Sequence, residues 1–245
     1  MSQRLTRQHI EERRRKQRRQ SRILLVSVVI GIALLVAGFL ILINRPVSNL
    51  PTVETNYEGL TQEVDDSGVG IGFAIGDPEA PLTLVEYSDF SCPHCHDLAK
   101  VIEQIIQEYV RPGNLRVVYK PISFVNPPAS RPAAQAAICA GQQGKFWEMH
   151  DSIWALYEAS GPGAYTQRQL TASAEAIGLD MQAFRSCFVS AQTSILVDSV
   201  LEEASQRGIM GTPKMYLNGE EIIYRGAELA YGDLKNAIEA RLSGG

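Results

Sequence analysis

The chain of 245 residues has no phosphate-binding glycine loop, no Ser-His-Asp arrangement that its order supports, and no internal repeat. Those absences turn the reading away from phosphoryl transfer, serine hydrolysis and repeat scaffolds. Cysteine and histidine are scarce, four of each, so any redox or metal chemistry must be built from few residues. Charge is missing altogether from Ile23 to Ile43, a run of 21 residues. As a helix that run spans about 31 Å, close to the hydrocarbon thickness of a bilayer. It has no polar face, which argues against a buried core helix. It also exceeds the usual apolar core of a cleaved signal peptide, and no clear small-x-small cleavage site follows it.

What is present divides sharply by charge. The formal net charge is -4, yet residues 1–22 hold nine Lys/Arg against Glu11 and Glu12 and carry +7, leaving -11 on the rest. A basic run alone suggests nucleic acid, but one set directly before an apolar span reads as a positive-inside signal. The expectation is a cytoplasmic basic segment over 1–22, a transmembrane anchor over 23–43 closed by Asn44 and Arg45, and no nucleic-acid partner. The protein would then be single-pass in the cell membrane, with its N-terminus cytoplasmic and the remainder extracytoplasmic. Residues 44–68, with Pro46, Pro51, Gly59, Gly68 and five acidic side chains, read as a flexible linker.

The folded domain is expected over 69–245. Leu82 to Tyr87 is a short β-favouring run introduced by Gly76-Asp77-Pro78. Apolar residues at Leu98, Val101, Ile102, Ile105, Ile106 and Tyr109 mark one face of a helix, and Pro112-Gly113 stops it. Leu115 to Tyr119 is a second strand, so strand, helix and strand form a parallel βαβ unit. A helical stretch follows over about 130–207, with Ser130, Thr166 and Asp180 as candidate caps. Phe146, Trp147, Trp154 and Tyr157 have helical spacing and read as core, and His150 shows no evident partner. The sheet resumes at Pro213 to Leu217, turns through Asn218-Gly219 and returns over Glu221 to Tyr224, before a last helix from about Tyr231 to Leu242.

The chemistry lies in Cys92-Pro93-His94-Cys95, between the first strand and the first long helix. A cysteine at a helix start meets free backbone N–H groups and the positive end of the helix dipole, and both favour the thiolate. A second sulfur two residues on, one turn deeper, can reach the first. His94 could stabilise the thiolate further. Stabilising the reduced form makes the disulfide a stronger oxidant. Other readings stand beside this one. Cys92-x-x-Cys95-His96 has the spacing of a c-type haem attachment, though no distal ligand is evident. A zinc site would lack a second ligand pair, and a purely structural disulfide would close an unusually short loop.

The segment Glu86-Tyr87-Ser88-Asp89-Phe90-Ser91-Cys92-Pro93-His94-Cys95 resembles the active site of the DsbA family of disulfide oxidoreductases. Gly211-Thr212-Pro213 resembles that fold's cis-proline loop. The resemblance covers about residues 69–242 and implies an α/β thioredoxin fold, βαβ then ββα, with an inserted helical subdomain. It implies catalytic roles for Cys92 as exposed nucleophile, Cys95 as buried resolving thiol and Glu86 as a buried acid serving the second cysteine, with Pro93 and His94 between the sulfurs. Pro213, if cis, would pack opposite the disulfide, the Thr212 backbone would pair with an extended substrate segment, and Met210 and Met215 could line the groove or fill the core. Cys139 and Cys187 would form a structural disulfide, the alternative being two unpaired apolar cysteines. No bound cofactor or metal is implied. The partners implied are reduced exported proteins as clients and a quinone-linked membrane reoxidase of the DsbB or VKOR type. The same fold could instead serve as a reductase of clients such as apocytochromes, or as a holdase that binds peptides without turnover.

Overall fold

The computed structural model describes residues 2–43, 50–223 and 226–244. It divides into two units, Met1–Ser48 and Asn49–Gly245. The first holds α1, Ser2–Ile43. Within it Arg18–Ile41 has a mean hydropathy of 3.0 and is long and apolar enough to cross a membrane. Asn44 and Arg45, expected to close the span, lie outside the described residues.

The second unit is built on a six-stranded mixed sheet. Its strands are β1 (Gln62–Asp65), β2 (Gly72–Ile75), β3 (Leu82–Ser88), β4 (Leu115–Pro121), β5 (Lys214–Leu217) and β6 (Glu220–Ile222), in the spatial order β1-β2-β4-β3-β5-β6. The central pair, β3 and β4, is parallel from Leu82↔Leu115 to Ser88↔Pro121. Its crossover is α2 (Pro93–Ile105), which buries Cys95, Leu98, Ile102 and Ile105 on one face. One wider turn, Ile106–Val110, continues that helix up to Gly113, whose φ of 85° no L-residue adopts cheaply. At the other end Asn218 (φ 49°) and Gly219 (φ 83°) supply the two left-handed residues a tight β5–β6 hairpin needs. Tyr224 lies outside the described residues. The helix α8 (Ala227–Ser243) closes the unit.

Between β4 and β5 run α3 (Pro127–Gly141), α4 (Phe146–Ser160), α5 (Gln167–Ala176), α6 (Met181–Phe188) and α7 (Ala191–Gln206). Thr166 and Asp180 cap α5 and α6 through their side chains. Ser130 does not cap α3. The helix begins three residues earlier, with Pro127 at a position where its missing N–H costs nothing. Ser130 is instead buried inside it and bonds back to the Asn126 carbonyl at 3.1 Å.

The linker expected over 44–68 is much shorter than that. Residues 62–65 form β1, antiparallel to β2, and Tyr57 is buried, its ring 6.2 Å from that of Trp147. Composition misled here for a physical reason. Two of the five acidic residues that suggested a solvated tether are neutralised by the domain, Glu63 and Asp65 pairing with Arg116 at 2.6 and 3.1 Å. Arg111 meanwhile donates to the Asn56 carbonyl at 2.7 Å and holds the incoming chain down.

A buried ion pair fastens the helical insertion to the sheet. Glu203 of α7 accepts from the Tyr87 hydroxyl at 2.6 Å, the Gly70 amide at 2.8 Å and Lys120 of β4 at 3.1 Å. Lys120 also donates to the Gly70 carbonyl at 2.5 Å. Removing one partner of such a pair leaves a buried charge, so Lys120→Met should lower the unfolding free energy in urea by about 3 kcal/mol. The lower end of the range applies because Tyr87, Gly70 and Arg207 still address Glu203.

Candidate active site

Cys92 is the N-cap of α2, with extended backbone (φ -86°, ψ 122°), and Pro93 opens the helix. That placement turns the free amides of the first turn toward Sγ. The cysteines are in the dithiol form. The Cys92 pKa is lowered to about 5, chiefly by a hydrogen bond from the Cys95 thiol, with help from the Thr212 side chain and the amides of Cys95 and His94. Cys95 moves the other way, pushed well up by burial and by the anion beside it. The asymmetry in reactivity exceeds that in access: Cys92 is 5% exposed and Cys95 0%. The residue expected to be exposed is therefore recessed, with Pro93 and His94 standing in solvent beside it.

The Thr212–Pro213 peptide bond is cis, and the Cys92 thiol donates to the Thr212 carbonyl at 3.4 Å. This loop leads directly into β5, which pairs antiparallel with β3 through Glu86↔Met215 and Tyr87↔Lys214. Of the two methionines near it, Met210 is exposed and Met215 lies in the core. Glu86, on the central strand, is buried at 2% exposure, and burial raises its pKa to about 7. His94 contributes its backbone amide to Cys92 while its imidazole faces solvent. His96 is turned away from the sulfurs, stacked on Tyr157 at 4.8 Å and 3.3 Å from Glu158. Among the described residues, no three His, Cys, Asp or Glu side chains gather as a metal site.

Two residues of the site went unread in the sequence. Asp89 is fully buried, and its carboxylate accepts the Ser91 amide at 2.7 Å and those of Phe124 and Val125 at 2.9 and 2.8 Å. It fastens the cysteine loop to the loop after β4. An Asp bonding the amide two residues on is a recognisable turn signal, so that half of its role was available in Asp89-Phe90-Ser91. His150 is the second. It has partners after all: Nδ1 meets Asp151 at 2.9 Å, and Nε2 accepts the Trp154 indole N–H at 3.0 Å. An indole nitrogen only donates, so Nε2 is the acceptor in that bond. The outer oxygen of Asp151 accepts the Tyr57 hydroxyl at 2.7 Å.

Away from these groups, Cys139 of α3 and Cys187 of α6 form a disulfide with a Cα–Cα distance of 5.7 Å, inside the helical insertion.

Comparison with known proteins sets this geometry in a family. Solved structures with the same fold include BdbD from Bacillus subtilis (TM-score 0.60, 19% identity, 76% of this chain and 98% of that one). The thiol-disulfide exchange protein alpha-DsbA2 from Wolbachia pipientis is another (TM-score 0.58, 17% identity, 68% and 85%). In sequence, the chain is 24% identical over 173 residues to a probable disulfide bond formation protein D of Bacillus anthracis, covering 69% of this chain and 77% of that protein. It is 34% identical over 146 residues to the Na(+)/H(+) antiporter NhaA 1 of Salinispora arenicola, covering 59% of this chain. That match takes in 21% of the antiporter, so the chain spans about a fifth of the length of such relatives. A thioredoxin family model matches residues 69–240, from just before β2 to within α8, and the chain therefore belongs to the thioredoxin family.

Proposed function

We propose that the protein is a membrane-anchored thiol:disulfide oxidoreductase that donates disulfides to exported proteins through Cys92 and Cys95. The observation that carries this reading is the opposed pair of thiols: an acidic Cys92 beside a buried Cys95 whose proton is held tightly. Such a pair is a good leaving group on one side and a poor one on the other. A client thiolate attacks Cys92, and the client's second thiolate then displaces Cys92 as a stable anion. Thr212 and Pro213 would align the client segment beside the sulfur, Cys139–Cys187 would serve stability alone, and no cofactor is required. The anchor, with the basic segment in the cytoplasm and the catalytic unit outside, would confine the enzyme to one plane with a quinone-linked reoxidase of the DsbB or VKOR type. Kinship with a probable disulfide bond formation protein supports the oxidising direction; antiport is not part of the proposal.

Two titrations of the full chain in detergent test it. Alkylation of Cys92 by iodoacetamide follows the thiolate fraction. The rate should hold its plateau from neutral pH downward and fall only through about pH 5, against about 8.5 for an ordinary thiol. In glutathione buffers the pair should be half reduced near about -120 to -180 mV. A midpoint below about -250 mV would reverse the direction of electron flow and make the protein a reductase.

A further inference from the structure

Glu86 and Ser88 lie two residues apart on β3 and so share one face of the sheet. Tyr119 is the partner of Glu86 across the β3–β4 pair. Glu86 is 2% exposed, and Ser88, Tyr119 and Cys95 are 0% exposed. Within this closed space the Ser88 hydroxyl lies within side-chain hydrogen-bonding reach of Glu86, Cys95 and Tyr119 alike. A buried hydroxyl, able both to donate and to accept, that reaches an acid, a thiol and a phenol at once links them into one path.

We propose that the hydroxyls of Ser88 and Tyr119 form a proton relay between Glu86 and Cys95. The inference rests on the disulfide-exchange reading and specifies how its buried step is balanced. When a client thiolate attacks Cys92, a client–Cys92 bond forms, the Cys92–Cys95 bond breaks, and the electron pair leaves on Cys95 Sγ. The proton that sulfur takes up comes from the Glu86 carboxyl. Each hydroxyl accepts one proton and releases its own, which a group able both to donate and to accept can do by rotation. In reoxidation the Cys95 proton returns to the Glu86 carboxylate by the same path. His150, though near, is unsuited to the task, because both its ring nitrogens are already engaged by Asp151 and Trp154.

The acid–base match supports this direction, since burial raises Glu86 to about 7 and Cys95 well above its ordinary value. The titratable groups facing the path are Cys92 from the start of α2, Asp89 from the loop before it, Tyr119 from β4 and His150 from α4.

The test uses the full chain in detergent, oxidised at Cys92–Cys95 and reduced by dithiothreitol with rapid acid quenching. The double variant S88A/Y119F should slow reduction at pH 7 by at least about tenfold and flatten the break in the pH–rate profile near pH 7. Its equilibrium constant with glutathione should stay within about twofold of the parent's, because a relay sets the rate and not the balance. Unchanged rates overturn the proposal. So does a rate loss matched by an equal change in the equilibrium constant, the mark of a merely structural role. Should the double variant fail to fold, S88A alone carries the test, with a loss of at least about threefold at an unchanged equilibrium constant. A parent protein that does not react with dithiothreitol through Cys92 would instead sink the exchange reading itself.

Discussion

Cys95→Ala should turn the protein into a trap. With the resolving sulfur gone, a client attached to Cys92 through a mixed disulfide has only its own second thiol for release. Single-cysteine clients and glutathione, offered as disulfides (oxidised glutathione, or a client as its mixed disulfide with glutathione), should therefore accumulate on Cys92. Its thiolate attacks one sulfur and expels the other as a thiolate, leaving adducts that survive a non-reducing gel and vanish with reductant. Cys92→Ser should capture nothing, and turnover in dithiol oxidation should fall by at least about 10³-fold, the scale expected when a nucleophile is removed. Because Cys95 is completely buried, it cannot substitute for Cys92. The two variants separate an enzyme from a peptide-binding holdase, which would keep its clients whichever sulfur were lost. Capture by Cys92→Ser equal to that of Cys95→Ala would overturn the assignment of the nucleophile.

The second large effect concerns the other pair of sulfurs. Cys139 and Cys187 are 48 residues apart in sequence, and closing a loop of that length removes about 4 kcal/mol of chain entropy from the unfolded state. Replacing both by alanine should lower the melting temperature of the unit Asn49–Gly245 by about 8–16 °C, at about 2–4 °C per kcal/mol for a unit of this size. The alkylation profile of Cys92 should be unaffected, since Thr212, His94 and Cys95 supply its stabilisation and none touches the bridge. A melting temperature within about 2 °C of the parent's would show that the unfolded chain is already compact between these positions.

Much of the site was legible because it is local. A strand, a proline-led helix start and two cysteines within four residues put the sulfurs at a helix N-terminus, and the Asn218-Gly219 pair fixed the hairpin. The rest depended on distance. The strand β1 consists of four residues whose acidic side chains pair with Arg116, about fifty positions on. Both partners of His150 are local, Asp151 beside it and Trp154 one helical turn on, and could have been read from the helix; only the link from Asp151 to Tyr57 depended on a segment read as tether. The Lys120–Glu203 pair joins residues 83 apart, and nothing in composition distinguishes it from a surface pair. The Glu86, Ser88 and Tyr119 cluster likewise exists only once β3 and β4 are in register.

The contact between Cys92 and the Thr212 carbonyl closes a span of 120 residues. A carbonyl that accepts from a thiol favours the protonated form, so the acidity of Cys92 comes chiefly from its neighbour Cys95 and from the amides at the first turn of α2. A chain in which that helix start has not formed therefore carries four cysteines of ordinary acidity, about 8.5, which are largely protonated and slow to exchange at neutral pH. The reactive sulfur exists only with the helix start in place, and in the folded unit Cys139 and Cys187 lie apart from it, bonded to each other within the helical insertion. Acidity tied to folded structure thus shields a protein that trades in disulfides from scrambling its own.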